Sequence, residues 1–346
     1  MHNLPQAELL IVPQAYARAK AQSSFIESCV KLAKSIALIQ LDVVFALWTF
    51  SRLLLTRVFP ESYHTDIIHA LIFMCINSTF HIVPQLWFSF YNTFVIEEKF
   101  GFNKTTIQTW TLDNIKLYTL SYVVRLITGF GMLKIIEYAG DSFFYFLWIF
   151  LSAFMLLFNT LNPIIIMPMF NKFTPLEPGP LRQSVEDLTS KLRFPLADLK
   201  VMDAGRRSSH SNALFTGFPW KKHIIVYDTL LSQNSDEEVL AVIAHELGHW
   251  KGGHVWKLLL SAEFHIFYMY ALFSIFIKNA SFYEEFGFSH ETPIAAGYEL
   301  YSLILSCIIP FVLFITYGFS RSFEYDAGRQ TLFQSRVTFL VALHRE

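Results

Sequence analysis

The chain has 346 residues, 53% of them hydrophobic and only 16% charged, with a mean hydropathy of +0.38. A water-soluble domain carries about 25% charged residues, so a wholly soluble globule is excluded and a chain that crosses a membrane several times is favoured. The net charge of -1 provides no basic field for nucleic acid, and Cys29, Cys75 and Cys307 stand too far apart for a CxxC metal site or a disulfide framework.

Residues 1–35 read as a polar, partly helical cytosolic tail without the basic and apolar blocks of a signal peptide. Six stretches then satisfy the requirement of about 20 mostly apolar residues per span. They are 36–55, 67–91, 117–138, 143–167, 255–277 and 298–319. Pro84, Pro163 and Pro310 fall inside them, which membrane helices tolerate because neighbouring groups satisfy the freed carbonyls. The first four spans make an N-terminal bundle over 36–167, with a cytosolic loop at 92–116. The last two belong to a C-terminal domain over 168–346. The chain ends Leu343-His344-Arg345-Glu346, without a lipidation box.

With six spans, nearly all Lys and Arg outside them fall on one side, and the other side holds only Arg57 and Lys278. The positive-inside rule places the rich side in the cytosol. The Asn279-Ala280-Ser281 sequon then faces the lumen or exterior, close to the membrane. Asp42, Arg125, Lys134, Glu263, His265 and Glu299 lie within the spans. Such residues are expensive in lipid and call for pairing or snorkelling, the reading favoured for Lys134, or for a polar cavity inside the bundle.

The 168–254 loop is too long for a mere connection and must fold. Strands are expected at 199–203 and 223–227, the second being a candidate for pairing with an extended substrate. Ser235 with Glu238 fits a capping box that opens a helix. That helix carries His245-Glu246-Leu247-Gly248-His249. His245 and His249 are one turn apart and can grip one zinc ion. Glu246 can take the proton of a water that the metal activates, as that water attacks a carbonyl. A third protein ligand is required. The metzincin register fails by one residue, since Val255 stands where the histidine belongs and His254 precedes it. His254 reads instead as a helix-end histidine favoured by the dipole. Glu324, after the last span and on the same side, is the best third ligand. Asp326 and Glu263 compete with it on spacing, and a salt bridge to Arg321 is its plainer role.

These motifs resemble the type I CaaX prenyl proteases, integral-membrane zinc metalloproteases. The resemblance rests on Tyr91-Asn92-Thr93-Phe94-Val95-Ile96-Glu97-Glu98-Lys99-Phe100-Gly101-Phe102-Asn103-Lys104, Asn171-Lys172-Phe173-Thr174-Pro175-Leu176, Gly179-Pro180-Leu181-Arg182, His210-Ser211-Asn212-Ala213, Phe215-Thr216-Gly217 with Pro219-Trp220-Lys221-Lys222, the HExxH run, and Ser320-Arg321 with Glu324. The resemblance implies an all-α membrane bundle, about six spans here against seven in the family, with a zincin-like cytosolic α+β element. It implies one Zn2+ held by His245, His249 and Glu324, Glu246 as general base, and Asn212 beside the metal holding substrate or oxyanion. The implied reaction is removal of the C-terminal tripeptide from prenylated CaaX proteins, in the endoplasmic reticulum membrane and nuclear envelope with the catalytic loop in the cytosol.

Two departures stand out. The resemblance leads one to expect an opening span before the stretch aligned from Ala17 onward, and a His and an Arg after Glu346 that assist at the active site. The family's E-x-x-A-D motif meets Gly328 where the Asp belongs. A truncated, weakly active or inactive member with a binding or regulatory role is the alternative these departures suggest.

Overall fold

The structure, a computed structural model, describes residues 6–343 apart from Pro219, with side chains over 13–329. The chain end read for a lipidation box and Pro219 of the Pro219-Trp220 motif lie outside the described residues. In chain order the helices and strands are α1 (Gln6–Gln40), α2 (Val43–Val58), α3 (Asp66–Tyr91), α4 (Ile107–Ala139), α5 (Phe143–Leu161), α6 (Met167–Phe170), β1 (Phe173–Pro175), α7 (Pro180–Leu192), β2 (Leu196–Met202), β3 (Ala213–Phe218), β4 (Lys221–Tyr227), α8 (Asp228–Gln233), α9 (Asp236–Lys251), α10 (His254–Phe276), α11 (Ala280–Glu284), α12 (Ile294–Leu305) and α13 (Ile309–Leu343). The fold is mostly helical, with one small mixed sheet among the described residues.

Among the described residues, three helical runs are long and apolar enough to cross a membrane: Asp66–Glu97, Ile107–Phe170 and His254–Phe276. A fourth arises if α12 and the start of α13, bent by 63°, form one span. The expected span at 36–55 is not one helix. Asp42 adopts the left-handed region (φ 46°) between α1 and α2, and α2 has only 16 residues. Aspartate is one of the few residues that visits this region readily, and it interrupts the apolar run where composition alone shows none. The expected spans at 117–138 and 143–167 belong to one 64-residue helical run, broken by a 3-10 turn at Gly140–Ser142. Gly131 of α4 lies directly against the ring of Phe150 on α5, so the two helices run back along each other.

The chain divides into two compact units. The first comprises residues up to Leu151 together with Ile266–Ile309. Its core is aromatic and helical, with Phe73, Phe143, Phe273, Tyr283 and Tyr301 buried. Two of its intramembrane charges, Lys134 and Glu299, are paired. Lys134 Nζ donates to Glu137 at 2.8 Å. Glu299 lies 3.1 Å from His81 Nε2, whose other ring nitrogen is 2.8 Å from Lys34 Nζ.

The second unit comprises Ser152–His265 and the chain from Pro310 onward. Its sheet has the order β1-β2-β4-β3. β4 lies parallel to β2 and antiparallel to β3, with Val201 opposite Val226 and Leu214 opposite Ile225. Both edges of β4 are therefore occupied, which corrects the expectation that 223–227 receives a substrate strand. Among the described residues, β3 has only β4 as neighbour. Leu181 and Val185 of α7, Leu199, Ile224 and Val226 of the sheet, and Val239, Ile243 and Leu247 of α9 fill the core of this unit.

Candidate metal centre

α9 begins where the sequence says it should. Ser235 caps it, accepting from Glu238 N–H while the Glu238 side chain accepts from Ser235 N–H. Asp236, Glu237 and Glu238 occupy its first turn, where they complement the positive end of the helix dipole. Val239, Ile243 and Leu247 recur every four residues and are buried in the core. This leaves His245, Glu246 and His249 half-buried on the remaining surface of the helix.

α13 brings Glu324 to that surface. The approach depends on small residues: a Cβ on Gly248 would stand 3.0 Å from the Ala327 carbonyl oxygen and 3.2 Å from its Cα. Ala327 is fully buried at this contact. One turn of α13 earlier, Glu324 Oε2 lies 3.1 Å from His245 Nε2 and 3.4 Å from His249 Nε2. The two Nε2 atoms are 3.2 Å apart. A tetrahedral zinc ion with bonds of about 2.0–2.1 Å separates its donors by roughly 3.3 Å. The three atoms thus have the spacing and chemistry of a two-histidine, one-carboxylate zinc site, and among the described residues they form the one such group.

The rivals for the third place lie elsewhere. Asp326 is two residues along α13, on a different face, and does not join the cluster. Glu263 accepts a hydrogen bond from Ser152. Arg321 donates to the Tyr325 hydroxyl at 3.4 Å, so Glu324 is not spent on a salt bridge there. The cluster opens into a cleft of about 580 Å³ lined by Ala241, Val242, Tyr325 and Gly328 among others. Glu246 follows His245 directly. Burial pushes its carboxyl above the usual carboxylate range; the neighbouring Glu324 adds to this and His245 opposes it. A carboxyl held this way is disposed to take up a proton.

Asn212 is exposed at the entry to β3, and its Oδ1 accepts from Ala213 N–H at 2.9 Å. β3 packs against α9, but no hydrogen bond joins Asn212 to the cluster among the described residues.

The structure corrects the expectation that His254 is a helix-end residue favoured by the dipole. It is instead the first residue of α10, and the positive end of a helix gives a cationic imidazole no support. It is 2% exposed, and its Nδ1 lies 3.0 Å from His249 Nδ1. Continuing α9 would carry it to another face. The chain turns instead at Gly252–Gly253, with Gly253 at φ +65°, and a Cβ on Gly252 would meet the His254 ring at 2.5 Å. The Gly252-Gly253 pair was the available signal for this fold-back.

Comparison with known proteins finds relatives over most of the chain. Residues 6–172 match the model described as CAAX prenyl protease N-terminal, five membrane helices, and residues 175–333 match Peptidase family M48. CAAX prenyl protease 1 of Saccharomyces cerevisiae is 38% identical over 332 residues, covering 90% of this chain and 73% of that protein. The probable CAAX prenyl protease 1 of Schizosaccharomyces pombe is 37% identical, covering 90% and 67%. The crystal structure of S. mikatae Ste24p superposes with a TM-score of 0.87 at 35% identity, covering 94% of this chain and 78% of that one. The chain belongs to the CAAX prenyl protease 1 family, and it is a multi-pass membrane metalloprotease with an M48 peptidase domain.

Proposed function

We propose that this chain is a zinc endopeptidase that removes the C-terminal tripeptide from prenylated CaaX proteins. The observation that carries the reading is the convergence of His245, His249 and Glu324 beside Glu246, in a chain whose relatives are named CAAX prenyl proteases. His245, His249 and Glu324 hold one zinc ion. When bound, zinc supplies Lewis-acid activation of water and of the scissile carbonyl at neutral pH. Glu246 accepts the proton of the attacking water and passes it to the leaving amine. Its partial burial suits that task, because it favours the protonated form between the two transfers.

The extended substrate adds to the open edge of β3, where backbone groups give affinity without reading sequence. Asn212, at the entry to that strand, holds the substrate backbone or the developing oxyanion with its side-chain amide. The protein works in the endoplasmic reticulum membrane and nuclear envelope, its sheet and α9 facing the cytosol. Mass spectrometry of a farnesylated CaaX peptide incubated with the purified, zinc-loaded full chain tests the assignment. Release of the intact tripeptide, stopped by a chelator and restored by zinc, is the expected result. Cleavage elsewhere, or cleavage indifferent to chelator, contradicts it.

Gly328 favours a second reading. A carboxylate on the turn after Glu324 would orient a ligand histidine, and losing such a group costs about 10–100-fold in affinity or activity. On that reading the chain holds zinc and prenyl peptide but turns over slowly or not at all, which the same experiment detects.

A further inference from the structure

We propose that His254 is the positioning residue for His249, fixing its tautomer and ring plane through an imidazole–imidazole hydrogen bond. The proposal rests on the reading of His249 as a metal ligand. Its Nε2 faces His245 Nε2 and Glu324 and must be unprotonated to bind a metal. A neutral His249 then carries its proton on Nδ1. The 3.0 Å contact makes His249 Nδ1–H the donor and His254 Nδ1 the acceptor. His254 accordingly carries its own proton on Nε2. Metal-binding histidines are usually oriented by a carboxylate, a carbonyl or water; here a second ring does this.

The surroundings of His254 are built for the task. Gly253 takes the left-handed turn that sends the chain back, and Gly252 leaves the space into which the ring folds. The ring stacks on Phe323, with centroids 4.5 Å apart and planes 12° from parallel. Phe323 is the neighbour of Glu324. One buried imidazole therefore touches His249 on α9 and Phe323, the residue beside Glu324, on α13, which limits the rotation of both.

The test uses the full chain in detergent, stripped of metal and titrated with zinc against a chromophoric chelator. His254→Phe keeps the stack on Phe323 but cannot accept a hydrogen bond. His254→Gln and His254→Met have similar volumes and differ in the acceptor. The expected result is a 10–100-fold loss of zinc affinity in His254→Phe and His254→Met, most of it recovered in His254→Gln. The melting temperature of the metal-free chain should not separate Gln from Met. A residue that only supports the fold would give the reverse: metal-free stabilities that differ and zinc affinities that do not follow the acceptor. Wild-type zinc affinity in His254→Met, with zinc lost in His249→Ala, overturns the proposal and leaves the ligand reading intact. Wild-type zinc affinity in His249→Ala overturns both.

Discussion

His245 and His249 present their Nε2 atoms to one point, yet their surroundings differ. His249 has His254 behind it. His245 borders the cleft at Gly328, where a Cβ would meet nothing within 4 Å. Gly328 lies four residues after Glu324, so a side chain there shares the face of α13 that carries Glu324. Gly328→Asp therefore fits without strain and places a carboxylate within reach of the His245 side of the site. It is expected to raise zinc affinity, by up to about 10-fold, read by chelator competition. Unchanged affinity would mean that the second carboxylate is dispensable in this chain. The His245-Glu246-His249 arrangement was legible in sequence because a helix fixes i, i+4 geometry locally. His254 was not, since its place depends on a turn that abandons the helix it follows.

The site is assembled by elements that are distant in sequence, and one contact controls the assembly. Gly248 and Ala327 let α9 and α13 approach to backbone contact, which sets Glu324 against the histidines. Gly248→Val would force the helices apart. It is expected to weaken zinc binding by at least 10-fold, through displacement of Glu324, and to cost about 1–3 kcal/mol of stability. Zinc titration together with melting of the metal-free chain separates the two effects. A variant that keeps wild-type zinc affinity would show that α13 adapts.

The capped start of α9 was legible because Ser235, the acidic first turn and the four-residue apolar spacing all agree. Of the sheet, the expected strands at 199–203 and 223–227 correspond to β2 and β4. β1 and β3 leave little trace in the sequence for physical reasons. β1 has three residues, and β3 contains Gly217 at φ +105°, which weakens the strand signal. Without β3, the occupied edge of β4 could not be foreseen.

For the whole molecule, composition correctly indicates a membrane protein, while the break at Asp42 shows the limit of hydropathy: a run of apolar residues does not reveal a left-handed hinge within it. The pairing of Lys134 with Glu137, and of Glu299 with His81, likewise depends on neighbours that a linear reading does not see. The proposed orientation can be checked chemically. Trp220 is 74% exposed at the β3–β4 turn, and Ser289 is exposed in the connection between α11 and α12. In a cysteine-free background, Trp220→Cys in sealed microsomes should react with a membrane-impermeant maleimide, and Ser289→Cys should react only after detergent. The opposite pattern would invert the orientation.

In the proposed reaction Glu246 moves the proton in a zinc-dependent cleavage of prenylated CaaX substrates. The most direct test is turnover of a farnesylated CaaX peptide by the full chain and by Glu246→Gln, both loaded with zinc to one ion per chain. The account predicts tripeptide release by the wild type and loss of at least 100-fold in the variant, with zinc content unchanged, the scale of a general-base contribution. Equal turnover by the two proteins would contradict it.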